Sequence, residues 1–144
     1  MKPTNLSVRR ITADRGSRKL VSEVKQFEEL QERTRRFALR IIKLFRSLPK
    51  TDEARILGKQ VLRSGTSIGA NYRAACRARS RAEFVAKLGI VLEEADETTF
   101  WLEVMRDSRI FPEEKLKDIV REAQELVAIF VASVRTAKGF TSSI

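Results

Sequence analysis

Residues 52–79, DEARILGKQVLRSGTSIGANYRAACRAR, decide how the rest of the chain is read. At ~100° per residue around a helix, Arg55, Lys59, Arg63, Arg73 and Arg77 fall within about 80° of one another. Thr66 and Ala70 fill the same stripe, and no acid interrupts it. The apolar residues Ala54, Leu57, Val61, Ile68, Tyr72 and Ala75 share the other side. A segment of one apolar and one cationic face is an amphipathic helix with its cations toward solvent. The stripe would run about 33 Å at ~1.5 Å per residue. Gly58, Gly65 and Gly69 lie between the two faces, where small residues let a neighbouring helix come close. Ser64, Ser67 and Asn71 recur at helical spacing; where buried they need hydrogen-bond partners, for which the glutamates of the next helix are candidates.

Three further helical segments surround this one. The first is expected from about Phe27 to Ser47, with Leu30, Phe37, Ile41, Leu44 and Leu48 on one face and Pro49 ending it. Thr51 is placed to cap the second segment. Ser80 opens the third with Glu83 three residues on, a capping-box pattern. It carries Phe84, Leu88, Val91, Ala95, Leu102 and Met105 to about Asp107. Pro112 suits the first turn of the fourth. That helix runs to about Thr136 with Leu116, Ile119, Ala123, Leu126, Phe130 and Ser133 or Val134 inward, and Gly139 is a fitting terminator. The connections are short, and short connections favour antiparallel neighbours. The expected fold class is therefore all-α, an antiparallel up-down-up-down four-helix bundle over residues 27–138. It is preceded by a basic, mostly disordered N-terminal arm at 1–26, open to a frayed helix near its end, and followed by a short tail at 139–144.

Composition agrees. Hydrophobic residues make up 42% of 144, enough for a core in one domain. No apolar run reaches the ~20 residues of a membrane span, and the start lacks an apolar signal segment. With a single cysteine, Cys76, no disulfide forms within the chain; a cytoplasmic protein without membrane association is expected. There is no histidine, so the commonest general base and metal ligand are missing. Cys76 lacks a partner to activate it and reads as a small core residue. Glu93, Glu94, Glu97 and Glu103 do not make the Glu-x-x-His pairs of a di-iron bundle. No Gly-rich phosphate loop is present. No catalytic residue, metal site or cofactor is expected, and an enzyme is not expected.

The charge, in contrast, is informative. Net charge is +10, and it is segregated. Residues 28–79 hold 13 basic and five acidic residues, whereas residues 80–144 hold nine basic and 12 acidic. Arg33, Arg36, Arg40 and Lys43 form a second stripe beside the core face of the first helix. Polyanions are the natural counterpart of such a surface, and guanidinium groups match phosphate oxygens in paired hydrogen bonds. The candidate nucleic-acid contacts are thus Arg55, Lys59, Arg63, Arg73 and Arg77, aided by Arg33, Arg36, Arg40 and Lys43. RNA and DNA are both open, with little sequence preference because no groove-reading motif is present. Two other readings stand beside this one. The stripe is a solvated face or pairs with carboxylates of a neighbouring subunit; or the chain is an interaction scaffold whose basic face docks an acidic protein. Leu39 and Ile42, Ile90, Phe100 and Trp101, and Ile129 and Val131 exceed what one core face per helix needs, which points to a homo-oligomer.

The run QVLRSGTSIGANYRAACRARSRAEFVAKLGIVLEEADETTFWLEVM resembles the four-helix bundle family of the 23S rRNA intervening-sequence protein. Arg63, Ser64, Ser67, Ile68 and Asn71, then Arg79, Ser80, Glu83 and Phe84, match the family pattern RS-x-x-SI-x-x-N and R-x-S-x-x-EF. Leu48–Lys50 sits at the family's first turn. The likeness spans about residues 27–137. It implies an up-down bundle that forms ring-like homopentamers. Some members are encoded within intervening sequences of large-subunit ribosomal RNA genes. A similar protein, the accessory variability determinant of diversity-generating retroelements, is a basic pentamer that binds nucleic acid and associates with a reverse transcriptase. By resemblance, a reverse transcriptase or another protein is a conceivable partner here too. Ala74-Ala75-Cys76 stands where the family commonly has A-E-G, and the basic arm lies outside the pattern.

Overall fold

The structure is a computed structural model that describes residues 15–142. It contains four helices: α1 (Arg15–Ser47), α2 (Asp52–Cys76), α3 (Arg81–Asp107) and α4 (Glu113–Ser142). No strand occurs among the described residues. Two of the starts have a capping side chain. Thr51 Oγ1 accepts from the Ala54 amide at 3.3 Å, and Ser80 Oγ accepts from the Glu83 amide at 3.1 Å. The return bond of the box is displaced by one residue: the Glu83 carboxylate accepts from the amide of Arg79, at 3.2 Å. α3 ends with Arg109 at φ 59°, the left-handed position usually given to glycine. The Ile110 amide then reaches back to the Met105 carbonyl and closes the turn.

Cross-helix contacts fix the topology. Gly58, Gly65 and Gly69 of α2 meet Phe45, Ile41 and Thr34 of α1 in reversed order, so the pair is antiparallel. Ser64 meets Thr98, Gln124 meets Glu103, and Arg33 meets Glu122, which extends the alternation around the bundle. α1 packs on α2, α2 on α3 and α3 on α4; the α4–α1 seam is the thinnest. The core is the one expected from periodicity. Phe37, Ile41, Val61, Ile68, Leu88, Val91, Leu102, Met105, Leu116, Leu126 and Phe130 are all but inaccessible. The rings of Tyr72 and Phe130 meet at a tilt of 53° with centres 5.3 Å apart. Leu30, Leu57 and Phe84 are half-buried rather than sealed.

Three boundaries differ from the sequence expectation. α1 begins at Arg15, so residues 15–26, assigned above to the arm, are helix. The reason is a continuation of the core stripe that a serine disguises. Ser17, Leu20, Val24 and Phe27 keep the three- and four-residue spacing; Ser17 and Val24 are buried, and Phe27 meets Phe84 edge-on at 6.0 Å. Residues 1–14 of the expected arm lie outside the described residues. At the other end α4 runs through Gly139 to Ser142, so Gly139 does not terminate it. α2, conversely, stops at Cys76, short of Arg79, with Arg77 as its cap.

The thin seam leaves an apolar groove of about 810 Å³ between the first half of α1 and the last turns of α4. Phe27, Leu30, Tyr72, Phe84 and Ile129 line it. No helix among the described residues is long and apolar enough to cross a membrane.

Candidate nucleic-acid interface

The cations of α2 point away from the core, as their spacing requires. After its first turn the exposed positions of α2 are Arg55, Ile56, Lys59, Arg63, Ala70 and Arg73, and Arg77 caps the stripe. What the helical wheel leaves open is which cations are already matched. Arg63 is. Its guanidinium reaches the α3 carboxylates, with Nη1 3.5 Å from Glu94 and Nη2 bonded to Glu97, which also accepts from the Trp101 indole at 3.2 Å. Arg55 lies 3.8 Å from Asp52 of its own first turn, a loose pair between well-exposed groups. Lys59, Arg73 and Arg77 are exposed and form no ion pair with any described residue.

On α1 the pattern repeats. Arg33 is half-buried and held by α4: Nε and Nη2 donate to the two oxygens of Glu122 at 2.8 and 2.7 Å, and Nη2 also reaches Glu125 at 3.0 Å. These carboxylates push the Arg33 pKa further up, so the group is a permanent cation locked in a fork. Arg36 has a long contact of 3.9 Å to Glu32, one turn back. Arg40 and Lys43 are exposed and without an ion pair among the described residues. The structure thus separates the two stripes. That of α2 faces straight outward, with Arg63 at its α3 edge. That of α1 lies at the α4 edge, where Arg33 crosses the seam and Arg40 and Lys43 line a cleft with α4.

The hydroxyl residues of α2 serve packing. Ser64 is fully buried, donates to the Gln60 carbonyl at 2.9 Å, and meets Thr98 Oγ1 of α3 at 2.9 Å. Its partner is therefore a threonine and not a glutamate side chain. Ser67 and Asn71 bond back to carbonyls four residues earlier on their own helix. Cys76 is buried, and burial raises its pKa, which keeps the thiol protonated and unreactive. Among the described residues no group of three acidic, cysteine or histidine side chains could hold a metal.

Comparison with known proteins adds the lineage. The family described as 23S rRNA-intervening sequence protein matches residues 26–132, most of the chain. The chain belongs to this family. A crystal structure from Bacteroides thetaiotaomicron VPI-5482, of a protein described as having unknown function and coming from the S23 ribosomal protein family, is similar. It is 37% identical, superposes with a TM-score of 0.68, and the match covers 73% of this chain and 97% of that one. No curated protein matches the chain. Within the matched range, Arg63 and Ser64 join α2 to α3.

Glu94 is the incompletely hydrogen-bonded member of that junction. Its side chain is only 19% exposed and its Oε2 has no hydrogen bond, although Arg63 lies near. Burial raises its pKa above the ordinary carboxylate value; Arg63 opposes the rise, while Glu97 and Glu93 add to it. A folded pKa above the unfolded one means that the native state binds more protons between the two values. Stability from this group is then present at low pH and is lost as pH rises through the raised value. Glu94→Gln is expected to stabilise the protein near neutral pH and to give no gain at about pH 4, as read by urea unfolding at both.

Proposed function

We propose that this protein is a non-enzymatic, homo-oligomeric nucleic-acid-binding protein that grips phosphate backbones through its unmatched cations. The observation that carries this is the outward row Lys59, Arg73 and Arg77, exposed along α2 with no ion pair to any described residue, and extended by Arg55. Holding like charges in one row costs energy, and a phosphate backbone, with one charge per ~1.7 Å of duplex, offsets it. Arg36, Arg40 and Lys43 add a second contact line on the α1–α4 side. Arg33 and Arg63, bound to carboxylates, steady the two lines from within. The absence of histidine and of a nucleophile with a base supports a binding role over a catalytic one.

Self-association is supported by apolar side chains that the single bundle does not cover. Leu39 is 51% exposed and Phe100 55%; Ile56, unremarked in the sequence because it sits among cations, is 62% exposed. Ile42, Trp101, Ile129 and Val131 are half-buried and contribute less. The three exposed side chains lie on α1, α2 and α3, so more than one side of the protomer can be covered by copies of itself.

The test is binding to generic RNA and DNA duplexes at two salt concentrations, with protein whose mass has been fixed by light scattering. Affinity is expected to fall steeply with salt and to vary little with sequence. No binding at low salt would refute the nucleic-acid role and leave an acidic protein as the counterpart. A strict monomer at high concentration would refute the oligomer.

A further inference from the structure

We propose that the cleft between the last turns of α1 and the first turns of α4 is a phosphate seat, in which Lys115 of α4 completes a site begun by Arg40 and Lys43 of α1. The cleft is about 340 Å³ and has these three cations on its walls, with Asp118 as the one carboxylate. None of the four forms an ion pair with any described residue. Its floor is apolar: Leu44, Phe111 and Ile119 are each less than one-tenth exposed. Cations held over a low-dielectric floor act on an anion more strongly than cations on an open helix face. Lys115 is also oriented, because its Nζ sits over the Phe111 ring, 5.7 Å from the centre.

The charge balance selects the ligand. Three cations against one carboxylate leave an excess of two positive charges. A phosphate monoester or inorganic phosphate carries close to two negative charges at neutral pH, whereas a backbone diester carries one. Arg40 supplies the planar fork that matches two phosphate oxygens, and the lysines act as point charges. The shared chemistry is a terminal or free phosphate. The inference rests on the reading of the α1 cations as phosphate contacts, and it assigns them a partner on α4 that the helical stripe did not include.

The full chain is titrated with inorganic phosphate while amide resonances of Phe111 and Ile119 are followed by NMR. It is then titrated with one short DNA strand bearing either a 5′-phosphate or a 5′-hydroxyl. Saturable shifts at these amides with phosphate are expected. Lys115→Gln and Arg40→Gln should each weaken phosphate binding by about tenfold, the loss of one charge-assisted contact. Lys117→Gln, which removes an equal charge outside the cleft, should keep the wild-type affinity. A gain from the 5′-phosphate identifies strand ends as the source; saturation by inorganic phosphate without that gain identifies a free phosphate. Absence of saturable shifts, or equal binding by Lys115→Gln and wild type, would overturn the seat. Neither result depends on duplex binding by α2, which the salt experiment reads separately.

Discussion

Reversing Lys59, Arg73 and Arg77 together to glutamate is expected to lower duplex affinity by about a hundredfold at moderate salt, while the fold survives. The estimate takes about 1 kcal/mol for each exposed contact to phosphate, and a tenfold change corresponds to ~1.4 kcal/mol. The logarithmic salt slope should shrink by about three, one unit per phosphate contact removed. That second readout separates loss of phosphate contact from a general loss of affinity. The variant is chosen so that binding can be read without a stability artefact. None of the three cations has an ion pair to lose among the described residues, and all are exposed. Helix content by circular dichroism and the melting midpoint should therefore stay close to wild type. Arg63 is left out of the set on purpose. A glutamate there would face Glu94 and Glu97 and confound binding with repulsion across the α2–α3 junction. Unchanged duplex affinity in the triple variant would remove α2 from the interface.

The same contrast between Arg63 and Arg73 shows what a sequence can and cannot disclose. Both sit on one stripe by spacing, because the 3.6-residue period fixes direction around the helix. Whether a cation is free depends on the opposite helix. The partners of Arg63 are 31 and 34 residues away, and those of Arg33 are 89 and 92 away. Periodicity carries no information over that range, so two of the nine candidate contacts are structural ties that looked like free surface. Lys115 was missed for the complementary reason. It belongs to the acidic half of the chain, and only the fold brings it beside Arg40 and Lys43. The core was legible because each apolar stripe is long, and buried Thr34, Ser64 and Thr98 interrupt it only singly. At Ser17 a polar residue holds a core position, so the apolar pattern alone marks the start of α1 later than the helix begins. The glycines of α2 were legible as a shared side, but what they meet was not.

What they meet gives the second large effect, a loss of stability in Gly65→Val of about 3 kcal/mol, at the upper end of ordinary overpacking. A Cβ at Gly65 would lie 2.8 Å from Ile41 Cγ1 and 3.0 Å from its Cγ2, closer than such atoms pack. Ile41 cannot move aside easily. It is wholly buried, and its β-branch leaves essentially one rotamer in a helix. Valine adds two further carbons in the same space, so α1 and α2 must separate and the buried Ser64–Thr98 contact beside them loosens. The expected fall in melting temperature is about 10 °C for a chain of this size. The control is Gly89→Ala on α3, where nothing lies within 4 Å of the new Cβ. There only the helix propensity of alanine acts, and stability should rise by about 1 kcal/mol. Opposite signs from two helical glycines would establish close approach of α1 and α2 as the reason for glycine at 65. A Gly65→Val variant as stable as wild type would mean that the two helices are not packed as tightly as Ile41 and Gly65 imply.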